Sequence, residues 1–135
     1  MKSVTIISDD KVGLLADISY ILGKSSVNID GLFVDVVGGK AIISLEVKDP
    51  KKASLILESN GFSMTHPDSI VVKVSSNSME KITEMLEFEN IIVTELSMLS
   101  TDREDGVFAI KVDKPRKAYK MLTPFLLGQN SRGYY

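Results

Sequence analysis

Apolar and polar positions recur along this chain with two periods, and the switches between them mark its elements. Val4-Thr5-Ile6-Ile7 is a β-branched run that predicts a strand. Leu14, Leu15, Ile18, Ile21 and Leu22 follow at helical spacing and predict one buried helix face. From Asn28 to Val37 the period returns to two, with Leu32, Val34 and Val36 on one face and Phe33 and Asp35 on the other. Gly38-Gly39 is a two-residue hairpin signal, after which Ala41, Ile43, Leu45 and Val47 alternate against Ile42, Ser44, Glu46 and Lys48. Asp49-Pro50 reads as a cap with proline at the first helical position, opening a helix to about Asn60 with Ala53, Ile56 and Leu57 inward. Asn60-Gly61 supplies a left-handed stop, and Phe62 to Thr65 is a short fourth strand closed by His66-Pro67.

The same order then begins again. Ile70 to Val74 predicts a strand, Asn77-Ser78 caps a helix, and Met79, Ile82, Met85 and Leu86 form its apolar stripe, with Glu80, Glu84, Glu87 and Glu89 outside. Ile91 to Leu99 reads as a strand, Ser100 to Asp105 as a polar connection, and Gly106 to Val112 as the returning strand with Phe108, Ile110 and Val112 inward. Asp113-Lys114-Pro115 repeats Asp49-Pro50 at an offset of 64 to 65 residues, and Ala118, Met121, Leu122 and Phe125 form the matching stripe. A last strand falls in a tail rich in glycine and polar residues before Tyr134-Tyr135.

Two copies of strand, helix, strand, strand, helix, strand define the expected fold. It is α+β, with two ferredoxin-like βαββαβ modules at 1–67 and 68–135 and helices on one face of each antiparallel sheet. Both faces of the Leu32 to Val47 hairpin carry apolar side chains, which a sheet covered on one side only does not need. A second covering layer is therefore expected, with the modules joined side by side into one extended sheet or the bare face meeting another copy in a homodimer.

Composition narrows the function classes. With 44% apolar and 25% charged residues the 135-residue chain is globular in character, and no apolar run approaches the ~20 residues that cross a bilayer. The start is too short for a signal-peptide core and cysteine is absent, so a soluble, cytoplasmic protein without disulfides or thiolate metal sites is expected. The net charge of −2 divides as −1 (7 Lys against 8 Asp and Glu) up to His66 and −1 (9 Lys and Arg against 10 Asp and Glu) beyond it. Neither half is basic enough to hold a phosphate backbone, and the strand aromatics Phe33, Phe62 and Phe108 lack a basic frame for RNA stacking. One histidine, His66, beside Pro67, makes neither a triad nor a metal cage, and Gly38-Gly39-Lys40 lacks phosphate-loop spacing. No nucleophile–base pair can be drawn, so neither an enzyme nor a bound cofactor is expected.

The turn Ser8-Asp9-Asp10-Lys11-Val12-Gly13-Leu14-Leu15 holds the candidate chemistry. It joins a strand to a helix, and the first amides of a helix have no intrahelical partner and favour negative charge. Gly13 lets a ligand approach the backbone, and Asp9 and Asp10 offer acceptors for an ammonium group, which together describe a site for a zwitterion. The same residues also serve as an ordinary start, Asp10 as N-cap and Gly13 as a turn glycine, and local chemistry leaves both readings open.

With these motifs the chain resembles a tandem ACT-domain protein. Asp10-Lys11-Val12-Gly13-Leu14-Leu15 is similar to that family's Asn/Asp-Arg-Pro-Gly-hydrophobic-Leu helix opening, Val27-Asn28-Ile29 to its opening of the second strand, and Asn60-Gly61-Phe62 to its glycine-aromatic start of the fourth. The resemblance implies a regulatory protein that binds an amino acid or similar small carboxylate at an interface between modules and controls a partner enzyme. It carries the ligand contacts to Ser8, Asp10, Gly13, Leu14, Leu15, Asn28 and Ile29. The chain departs from the family at Val12, in place of proline, and in the second module, where Ser75-Ser76-Asn77-Ser78-Met79 has no glycine. One competent site per chain is expected. The competing expectation is a structural pairing module without a ligand. Asn28 also has a local reading, as a side chain that satisfies a strand-end backbone group, and the Glu row reads as a solvated face.

Overall fold

The computed structural model describes residues 3–66, 68–75 and 77–127. The chain divides into two compact units, Met1–Pro67 and Asp68–Tyr135.

In the first unit, β1 (Ser3–Asp9), α1 (Leu14–Lys24), β2 (Ile29–Val37), β3 (Lys40–Val47), α2 (Pro50–Ser59) and β4 (Ser63–Met64) follow the expected order. The sheet order is β2-β3-β1-β4 with every pair antiparallel, so β3 is inserted between the two strands that α1 connects. The register sets Val4 against Leu45 and Ile6 against Ile43, while Leu32 and Val34 meet Leu45 and Ile43 from the other side. These residues share a face, and Leu14, Ile18 and Leu22 of α1 with Ala53 and Leu57 of α2 close over it. Ile42, on the opposite side of β3, is also fully buried.

Local chemistry sets the boundaries. Gly38 and Gly39 both have positive φ (57° and 78°), as a tight hairpin matched to strand twist requires. The Asp49 carboxylate accepts the Lys52 amide at 3.1 Å and caps α2. At the far end Gly61 (φ +88°) turns the chain, and Leu57 O accepts the Phe62 amide. Leu15 departs from the expected inward stripe. Lying at the edge of that stripe in the first turn, it is 40% exposed, while Ile21 is half-buried against the core.

The second unit contains β5 (Ile70–Ser75), α3 (Met79–Phe88), β6 (Val93–Thr101), β7 (Asp105–Val112), α4 (Pro115–Leu122) and a 3-10 turn (Thr123–Phe125). Its described strands form an antiparallel sheet in the order β5-β7-β6. Ile70, Val72, Val74 and Ile110 form a core with Met79, Ile82 and Leu86 of α3 and Ala118 and Leu122 of α4. Both helices therefore lie on one face of the sheet. α4 starts beside the end of α3, since the Lys117 ammonium donates to Glu89 O (3.0 Å) and the Lys114 ammonium to Asn90 O. Cations at a helix C-terminus complement its dipole.

Three expectations for this unit shift. β6 begins two residues later than its apolar run and continues through Thr101, so the polar connection shrinks to Asp102–Glu104. The Asp102 carboxylate causes this by accepting the amides of Glu104 (2.9 Å) and Asp105 (2.8 Å), while its own amide donates to Asp105 O. Those two backbone bonds hold the Asp102 carboxyl below its usual range. Ser78 precedes α3, but its hydroxyl donates to Ser75 Oγ instead of capping the helix. The last strand is represented by Leu126, which bridges to Val72, and by the Leu127 amide donating to Val71 O. The remainder of that expected strand lies outside the described residues. Among the described residues no helix is long and apolar enough to cross a membrane.

Candidate functional site

Pairing of β1 with β3 brings Asp9 opposite Lys40, beside the hairpin. Lys40 donates to the Asp9 carboxylate, and this bond, then the charge of Lys40 and that of Lys11, holds Asp9 below the usual carboxylate range. Asp9 thus already shares one carboxylate oxygen with Lys40, while its side chain stays exposed. Asp10 is exposed, and its amide donates to Gly39 O at 3.2 Å, which ties the turn to the hairpin.

The N-cap of α1 is Gly13 (φ +84°, ψ 0°), with no side-chain cap bond, so Asp10 does not have the capping role. A Cβ at Gly13 would meet nothing within 4 Å. The glycine is required by the left-handed backbone and not by crowding. In the first turn the Leu14 amide donates to Lys11 O (3.3 Å) and the Asp17 amide to Gly13 O (2.9 Å). The amides of Leu15 and Ala16 lie between them without a capping side chain.

Beside this turn is a hollow of about 360 Å³ lined by Asp10, Lys11, Gly13, Leu14 and Leu15, with Val34, Ala41 and Ile43 of the sheet. Four of the seven expected site residues therefore converge. Ser8 does not join them. It lines a smaller, polar hollow of about 270 Å³ with Asp9, Lys40, Asn60 and Phe62, and its hydroxyl donates to Asp9 O. Lys11 lines both hollows.

Asn28 and Ile29 line neither hollow. Ser8 pairs with Ala41 and Ile29 with Val47, so six residues of β3, about 20 Å of strand, separate the turn from the start of β2. Asn28 is exposed and its side chain makes no hydrogen bond among the described residues, so the strand-end backbone role is not observed either.

The second unit has a hollow of about 440 Å³ at the end of β5, lined by Lys73, Ser75, Ser78, Asp105 and Phe125. It matches the Ser8 hollow rather than the Gly13 hollow, since Ser75 pairs with Asp105 as Asp9 pairs with Lys40. Its N-cap Ser78 has φ −98°, so the backbone does not repeat the Gly13 turn. Among the described residues no group of three or more His, Asp or Glu is arranged to hold a metal ion. Lys11, Val34, Ala41 and Ile43 were not among the expected site residues. The basic side chain inside the turn was a signal for Lys11, while the other three were legible only as strand positions facing the core.

No family model and no curated protein matches the chain. Among solved structures it is similar to a protein from Bacteroides thetaiotaomicron (20% identity, 90% of this chain and 85% of that one, TM-score 0.49). It is similar to the regulatory subunit of aspartate kinase from Thermus thermophilus, in its ligand-free form (15% identity, 90% and 89%, TM-score 0.44). The acetolactate synthase small subunit from Thermotoga maritima is a further similar structure (15% identity, 91% and 86%, TM-score 0.39).

Proposed function

We propose that this protein is a non-catalytic, cytoplasmic sensor that binds an amino acid or similar small carboxylate at the β1–α1 turn and controls a partner enzyme of amino-acid metabolism. The observation that carries this reading is the uncapped first turn of α1, which opens beside a hollow lined by both a cation and a free carboxylate. A ligand carboxylate would accept from the Leu15 and Ala16 amides with Lys11 alongside, and its ammonium would meet Asp10. Gly13 holds the backbone that presents those amides, and Leu14 and Leu15 supply apolar wall. The resemblance to ACT domains assigns Asn28 and Ile29 as ligand contacts at an interface between paired modules, and they would contribute if another module brought such a β2 start against this turn. Ser8 would act from the neighbouring hollow through the backbone of Asp9. Coupling of occupancy to a partner would be worth about 1–3 kcal/mol.

The second reading is a structural pairing module without a ligand. It is favoured by the open space around Gly13, where the left-handed turn is explained by chain direction alone. A thermal-shift panel of the twenty amino acids and their branched-chain and aromatic precursors separates the two. A ligand at about one hundred times its dissociation constant adds about 2.7 kcal/mol and raises the melting temperature by roughly 10 °C. A flat panel on folded protein would leave the pairing module.

A further inference from the structure

The helical layer of the second unit divides its charge by helix. α3 carries Glu80, Glu84 and Glu87 against Lys81, whereas α4 carries Arg116, Lys117 and Lys120 and no acid. Outward positions recur at a spacing of four. On α3 they are Glu80, Glu84 and Phe88, opposite the buried Met79, Ile82 and Leu86, and on α4 they are Arg116 and Lys120, opposite the buried Ala118 and Leu122. Phe88 is 88% exposed. Lys114 and Lys117 are engaged at the end of α3, but the side chains of Glu80, Glu84, Glu87, Arg116 and Lys120 make no ion pair or hydrogen bond among the described residues.

We infer that this helical layer is a docking face for the same layer of a second copy of the chain. Its α3 and α4 run antiparallel, since each returns against the strand before it and those strands, β5 and β7, are antiparallel, and the start of α4 lies beside the end of α3. Two two-fold axes can stack the layer on itself with helices aligned. An axis across the helices sets α3 on α3 and places Glu against Glu. An axis along the helices sets each α3 on the partner's α4, and the acidic helix then faces the basic one. Counting about 1.5 Å per residue from the Lys117–Glu89 contact brings Lys120 between the levels of the partner copy's glutamates at 84 and 87, and Arg116 within about 3 Å of the level of the aromatic ring at 88, in reach of a cation–π arrangement. Helices of 10 and 8 residues make a small face, so the dimer is weak and salt-sensitive. The inference rests on the second unit alone and is independent of the ligand reading.

The test is sedimentation equilibrium of the full chain over micromolar concentrations, from low salt to about 1 M, where screening shortens to about 3 Å. Reversible dimerisation that weakens with salt is expected. Glu84→Lys and Lys120→Glu, both on exposed positions, should each weaken it at least about tenfold, and the double variant should restore it. A monomer at all concentrations overturns the inference. So does a dimer indifferent to the single variants, or one that the double variant fails to restore.

Discussion

At Gly13 the demand is on the backbone, because φ is +84° and the space a Cβ would enter is empty. An L side chain there costs about 1–2 kcal/mol, and more when β-branched. Gly13→Ala should therefore lower stability by about that amount in urea melts, with Gly13→Val worse. Asparagine, which tolerates the left-handed region, should be milder than alanine. Asp10→Ala tests a different role. Its carboxylate caps nothing, so stability should change by less than about 0.5 kcal/mol, while calorimetry should show amine-bearing ligands weakened more than plain carboxylates. Sequence chemistry located this turn, but it treated Asp9 and Asp10 as equivalent acceptors. The difference between them comes from Lys40, which lies 31 residues away in sequence and reaches Asp9 only through the β1–β3 register.

At the scale of elements, caps and turns set most boundaries. Asp49→Ala should cost about 1 kcal/mol by freeing the Lys52 amide, measurable in urea melts. Asp102 and Asp113 are both held below the ordinary carboxylate value of 3.8, Asp102 by the amides of Asp105 and Glu104, and Asp113 first by the amide of Ile92. A carboxyl whose folded pKa is depressed stabilises fully above its unfolded value and loses that contribution as pH falls through the folded one. Both turns should loosen below about pH 4, and Asp102→Asn should flatten the acid limb of the stability–pH curve. The Asp102 turn also shows where periodicity fails. Ser100 and Thr101 are polar and read as connection, yet the carboxylate clamp closes the hairpin tightly enough for both to pair. Asp49-Pro50 and Gly38-Gly39 were legible because their chemistry is local, whereas the Asp102 bonds become visible only once strand ends are placed.

For the whole molecule, the repeat of apolar spacing conveyed the α+β architecture, because each unit fills its own core from its own strands and helices. Leu57→Ala and Leu122→Ala remove fully buried side chains from different cores, and each should cost about 2–5 kcal/mol. Hydrogen exchange should show the loss of protection concentrated in 3–66 for the first and 68–127 for the second. What periodicity could not convey is distance along the sheet. Asn28 follows the turn by fifteen residues, but α1 carries the chain back to the other end, so sequence nearness to Gly13 became separation in space.

The bond from the Asp10 amide to Gly39 O has a mechanical meaning. With the Asp9–Lys40 pair one residue away, it makes the helix opening and the hairpin tip a single lever with two attachment points. A molecule that displaced the turn should therefore also shift the tip at Gly38-Gly39. A fluorine or spin label beside that tip would then report what happens at the opening of α1 without touching the hollow itself.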